Sequence, residues 1–311
     1  MDINYEKIEE SVRCDLVKIN LWSDSLTKPT IYWSDLMYSF ISFNLDSLNV
    51  YTYMATVSIA ALIYKSTVYA DFVYEQVHKY TPSIKTGKTN FFFVANDASE
   101  EVINHLKSKN YPFFIQNNEK YSEQELFNMG YGWPEYIHRV YKGWNRCIIE
   151  SMNEYVCLIN SDMGLSENWL ENLLKHVNDN TAVSSLLIER GHETLGHFGA
   201  GLNGTGSILY NCGKTPLLYD EDKFTKYVNN NKINNYNKTT VGGVYMPILF
   251  KKDVAIKVGM YPEGNIAGAN FNNVVDYGDR VFMRKLRLAG VNHITSWDSF
   301  AYHFQQGEME A

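Results

Sequence analysis

Three apolar runs in this sequence each end in polar groups able to do chemistry. Residues 56–64 end in Tyr64 and Lys65, residues 90–95 in Asn96 and Asp97, and residues 155–160 in Asn160, Ser161 and Asp162. An aspartate at the tip of a buried strand, with a helix starting just after it, is placed to hold a divalent cation. Such ions prefer hard oxygen ligands and bring the phosphates of a nucleotide with them. The plainer roles are a helix cap for Asp97 and a turn cap for Asp162. Further along, Asp276 and Asp279 stand at the head of an amphipathic stretch carrying Arg284 and Arg287. An acid there is either chemically active or simply stabilised by the helix dipole. His303, in the strand-like run 297–307, is either a packed residue or a ligand.

Those residues need a scaffold that brings strand ends to one edge. Runs rich in β-formers at 56–64, 90–95, 111–116, 155–160 and 182–188 read as buried strands. Between them, helical patterns cover 67–80 (capped by Ser66, with Val68, Phe72, Val73 and Val77 on its apolar face), 99–109, 136–151 and 166–177. Strands alternating with helices predict a mostly parallel sheet covered on both faces. In such a sheet ligands bind beyond the carboxyl ends of the strands, where the polar turns lie. After Glu189 the alternation breaks into a glycine-rich stretch, 191–206, and an asparagine-rich one, 228–237. Both read as loops, and the second as a mobile lid over the acceptor side. Order returns over 241–250, with helices at 252–258 and 278–289 and a strand at 291–295.

A net charge of −7 with no basic block argues against a nucleic-acid partner or a polybasic membrane binder. No apolar stretch approaches the roughly 18 residues of a spanning helix. Four cysteines without a CxxC pair, and no leader-like start, point to a reducing, cytoplasmic setting, with peripheral membrane attachment left open. The GxGxxG of residues 199–204 lacks the preceding strand that a dinucleotide site needs. His192 and His197, five apart in the glycine-rich stretch, read as residues of a solvated loop.

The motifs taken in order resemble the family 2 glycosyltransferases of the GT-A fold. VSIAALIYKS (57–66) is similar to the family's first strand and turn, VANDAS (94–99) to its DDGS turn, and LINSDM (158–163) to its DxD-type motif. GGVYMPILFKKDVAIKVGMYPEG (242–264), YGDRVFMRKLRLAG (277–290) and AYHFQQG (301–307) resemble its later elements, the last holding its terminal metal-ligand histidine. The resemblance implies a GT-A-like α/β domain over 53–307, preceded by an appended segment, 1–52, that offers a route to oligomers. It implies metal-dependent, inverting transfer of a hexose-type sugar from a nucleotide-sugar, a UDP-sugar being favoured, to a hydroxyl of a glycan, lipid-linked or protein acceptor.

Carried over by residue, Asp97 and Tyr64 would meet the base, and Asn160, Ser161 and Asp162 the ribose and metal. Asp162 and His303 would ligate Mn2+ or Mg2+. Asp279 would be the general base, with Asp276 as the alternative. The chain departs from the family where Asn96, Asn160 and Gly278 replace acids. Those losses keep open a rival reading, a weakly active or silent nucleotide-sugar- or glycan-binding protein of the same fold.

Overall fold

The structure is a computed structural model describing residues 57–190, 207–305 and Glu308. These belong to one compact unit, Met54–Ala311. The segment 1–52, the glycine-rich stretch with the GxGxxG, and His192 and His197 lie outside the described residues.

The first half runs β1 (Val57–Ile63), α1 (Thr67–Tyr80), α2 (Pro82–Lys85), β2 (Thr89–Asn96), α3 (Glu100–Ser108), β3 (Phe113–Gln116), α4 (Glu123–Asn128) and β4 (Tyr131–Gly132). It continues through α5 (Tyr136–Glu150), β5 (Tyr155–Ile159), β6 (Met163–Leu165), α6 (Trp169–Leu174) and β7 (Thr181–Glu189). The second half has β8 (Ser207–Leu209), α7 (Glu221–Asn235), β9 (Thr239–Val241), β10 (Ile248–Lys251) and α8 (Lys252–Lys257). It ends with β11 (Asn265–Ala267), β12 (Val274–Asp276), α9 (Gly278–Leu288) and β13 (Asn292–His303).

The α/β class with a central, mostly parallel sheet flanked by helices is what the sequence predicts. The main sheet runs β3-β2-β1-β5-β10-β7-β13-β6, with β8 on β7 and β9 on β13. Strands β3, β2, β1 and β5 are mutually parallel; β10 enters antiparallel to β5 and β7. Continuous apolar runs suit strands buried on both faces, and β1 shows it: all but one of its residues are buried. Ser66 caps α1 by accepting the Tyr69 N–H, and Ser99 caps α3 by accepting that of Val102. The buried stripe of α1 is Tyr69, Ala70, Val73 and Val77; Val68 lies outside it, 39% exposed.

Three expectations are corrected. The asparagine-rich stretch is not a loop: it forms most of α7, capped by Asp220 accepting the Lys223 N–H and anchored by buried Phe224 and Val228. A cap and two anchors offset the weak helix propensity of asparagine. At its far end the Asn237 N–H donates to buried Asp298. The helix expected from 166 starts at Trp169, because 163–165 pairs with β13 and the Ser166 hydroxyl accepts the Phe300 N–H. The strand at 291–295 and the strand-like run from 297 are not separate: they form the one strand β13, which passes an irregularity between Ser296 and Phe300 and ends at His303.

Candidate functional site

Parallel register sets the site. Ile63 of β1 lies beside Ala95 of β2, and Ala61 beside Ile159 of β5. The residues that follow, Tyr64, Asn96 and Asn160, therefore leave the sheet along one edge. They open onto a cleft of about 730 Å³, a size typical of small-molecule sites. Asp97, Ser161, Asp162 and His303 line it too, with Tyr136, Arg139 and Trp144 from α5 and Glu308 from beyond β13. All the residues the sequence assigns to a donor or a metal thus meet in one cavity. Asp276 and Asp279 are not among those lining it.

Asp97 has a φ of +52°, a left-handed conformation in which aspartate is among the tolerated side chains. Its Oδ1 accepts the Asn118 N–H at 2.8 Å, its Oδ2 accepts Asn118 Nδ2 at 3.0 Å, and Arg139 lies 3.5 Å from Oδ2. It caps no helix, since Ser99 does that. Asn96 beside it donates to the Arg139 carbonyl at 3.1 Å and accepts from Asn118 at 2.7 Å. An amide can both donate and accept in this way, whereas a carboxylate can only accept.

Asp162, buried, stands 3.2 Å through Oδ2 from Nε2 of His303. On the other side of the imidazole, Nδ1 lies 3.4 Å from Glu189. Register explains the meeting: His303, last in β13, pairs with Met163 at the start of β6 and with Glu189 at the end of β7. Burial alone would lower the histidine's pKa, but the Asp162 and Glu189 carboxylates outweigh it and raise it to about 10.

Two facts bear on a metal. Among the described residues no group of three or more His, Cys, Asp or Glu side chains is arranged to hold an ion. Ions of the Mg2+ type, however, commonly take only one or two protein ligands and complete their shell with substrate phosphates and water. Asp162 suits that role, and so does the Nε2 of His303 once the ring releases its proton to the incoming ion; a carboxylate behind Nδ1 is the usual support for a ligating imidazole. The donor set fits.

The two acids at the head of α9 sit differently from each other. Asp276 is paired with Arg284 at 2.5 Å. Asp279 has a buried Oδ1 without a hydrogen-bond partner and an Oδ2 3.5 Å from the Tyr141 hydroxyl. Burial, against a smaller opposing effect of that hydroxyl, pushes its pKa up to about 7. Gly278 is required by close approach: a Cβ there would stand 2.3 Å from the Tyr141 ring. The same ring contacts Trp144 of the cleft at a centroid separation of 5.7 Å, so Asp279 adjoins the cleft wall through one aromatic layer.

No protein-family profile matches the chain, and no curated protein matches it in sequence. Solved structures do share its general course. The crystal structure of GalNAc-T7 with UDP, GalNAc and Mn2+ is 12% identical, with a TM-score of 0.48 over 81% of this chain and 44% of that one. S. aureus TarS 1–349 is 12% identical with a TM-score of 0.47, over 80% of this chain and 60% of that one. The mannosyltransferase PcManGT from Pyrobaculum calidifontis, in complex with GDP-Man and Mn2+, gives 12% and 0.47, over 89% and 66%. The chain spans less than two thirds of each of these. At such values the likeness is one of chain course and assigns no residue a role.

Four residues of the site escape sequence reading. Glu189 and Arg139 lie in elements whose ends the sequence does not align with the cleft. Tyr141 carries no motif. Glu308 binds atoms 242 to 244 positions away.

Proposed function

We propose that this protein is a glycosyltransferase that binds a nucleotide-sugar with Mn2+ or Mg2+ and transfers the sugar to a hydroxyl acceptor with inversion. The observation that carries the reading is the Asp162–His303 pair, backed by Glu189, in the cleft that also holds Tyr64, Asp97 and Asn160. Asp162 and His303 would hold the metal, which when bound neutralises charge on the departing diphosphate. Tyr64 offers a ring, 47% exposed, on which a base can stack. Asp97, fixed by Asn118 and Arg139, offers an acceptor to a base N–H. Asn160 offers an amide to ribose hydroxyls. Asp279 takes the acceptor's proton; a pKa near 7 suits a base at neutral pH, and such a base contributes about 10²–10⁴-fold. A UDP-sugar of the hexose type is the donor we favour, and the acceptor is a glycan, a lipid-linked sugar or a protein side chain.

The experiment is a melting series with UDP, GDP and CDP, each with and without Mn2+, on the wild type and on Asp162→Ala. A ligand at a hundredfold its Kd adds about 2.7 kcal/mol, readily seen as a melting shift. A metal-dependent shift that Asp162→Ala removes supports the reading. No shift with any nucleotide sinks it. The rival, a silent binding protein, is favoured by the absence of Asp279 from the cleft lining. Under that rival Asp279→Asn changes nothing, whereas the transferase loses turnover and keeps nucleotide affinity.

A further inference from the structure

Glu308 lines the cleft and takes the amides of the turn between β1 and α1. Its Oε1 accepts the Tyr64 N–H at 2.8 Å, while Oε2 accepts those of Lys65 and Ser66 at 2.5 and 2.7 Å. These donors lie in the turn ahead of α1, Ser66 being the N-cap of that 14-residue helix, which has no acidic side chain in its first turn. Successive turn amides converging on one place, with a helix dipole behind them, favour an anion. From the opposite side the Ser161 hydroxyl donates to Oε1 at 3.4 Å. One carboxylate therefore ties the β1 turn to the β5 turn inside the cavity that Tyr64, Asp97 and Asp162 also line. Charge-assisted bonds to three successive amides are strong for a side chain arriving from so far along the chain.

We propose that Glu308 is an internal competitor of the ligand: its carboxylate occupies the amides and the space that an anionic nucleotide diphosphate must take, so binding requires its displacement. This rests on the reading of the cleft as a nucleotide-sugar site. A phosphate and a carboxylate are alternative occupants of such an N-terminal cradle, and the two negative charges would repel one another there. The docked carboxylate lowers apparent affinity by the fraction of time the cleft is open.

The test is calorimetric titration of UDP and of GDP, each with Mn2+, into wild type, Glu308→Gln and Glu308→Ala. If Glu308 is docked about nine-tenths of the time, Glu308→Ala binds about tenfold more tightly than wild type, and Glu308→Gln falls between them. Amide hydrogen exchange supplies the second readout. The Lys65 and Ser66 amides should be protected in free wild type, lose protection in free Glu308→Ala, and regain it when nucleotide is added. Equal or weaker binding by both variants overturns the competition while the donor reading stands. Failure of all three proteins to bind either nucleotide overturns both, and that result differs from the former because the wild type then shows no titration heat at all.

Discussion

Replacing Asp279 by Asn should stabilise the fold above neutral pH and abolish transfer. The acid's pKa stands at about 7 in the folded protein against an ordinary 3.8, because burial disfavours its charge. The native state therefore keeps this proton up to about pH 7, while the unfolded chain releases it near pH 4. Stability from this group is fully present below pH 4 and is lost as pH rises through 7. At about 1.4 kcal/mol per pH unit, the whole interval amounts to roughly 4 kcal/mol. Asparagine keeps the neutral form at every pH. The difference in unfolding free energy, variant minus wild type, should thus climb by about 1.4 kcal/mol per pH unit between pH 5 and 7 and level off above. Urea denaturation of both proteins at pH 5, 6, 7 and 8 measures it, and subtraction cancels the other titrating groups. Wild-type transfer should rise with pH on a limb near 7, as the base form appears. A flat difference across the series would show that Asp279 is not held protonated, and the assignment of a neutral-pH base would go with it.

Glu189→Gln should weaken Mn2+ binding about 10–100-fold by loosening the imidazole of His303, read by metal titration in the presence of UDP; unaltered affinity would remove Glu189 from the site. Gly278→Ala should cost about 1–3 kcal/mol in urea denaturation, since the Tyr141 ring is buried and has little room to retreat. Asn96→Asp, which restores an acid the resembling family carries, should destabilise by about 1–3 kcal/mol, because a carboxylate cannot donate to the Arg139 carbonyl. A neutral result there would mean that the amide network around Asn118 is dispensable.

The strand-end residues of the cleft were legible because they depend on local pattern alone. Apolar runs broken by Tyr64, Asn96–Asp97 and Asn160–Asp162 become strand ends, and parallel pairing puts those ends together without further information. His303 was legible only as a residue of a resembling motif. Its meeting with Asp162 depends on β13 continuing past Thr295 and on β6, three residues long, which no periodicity reveals. Glu189 and Glu308 were beyond reach for the same reason: register and long-range folding bring them in. The asparagine-rich stretch misled because composition weighs every residue alike. A helix is held by a few positions, here Asp220, Phe224 and Val228, while the solvent face tolerates poor formers.

The packing of Tyr141 against Gly278 decides what position 278 can hold. The place where a side chain at 278 would stand is filled by an aromatic ring, and that ring's hydroxyl donates to Asn265 at 3.1 Å, whose Oδ1 also takes the Gly278 N–H at 3.0 Å. An acid cannot be placed at 278 by a single exchange; the ring must leave first, and its departure strips Asp279 of its neighbouring hydroxyl. Positions 141 and 278 are therefore coupled: any side chain at 278 calls for a smaller one at 141, so the two can be exchanged only together.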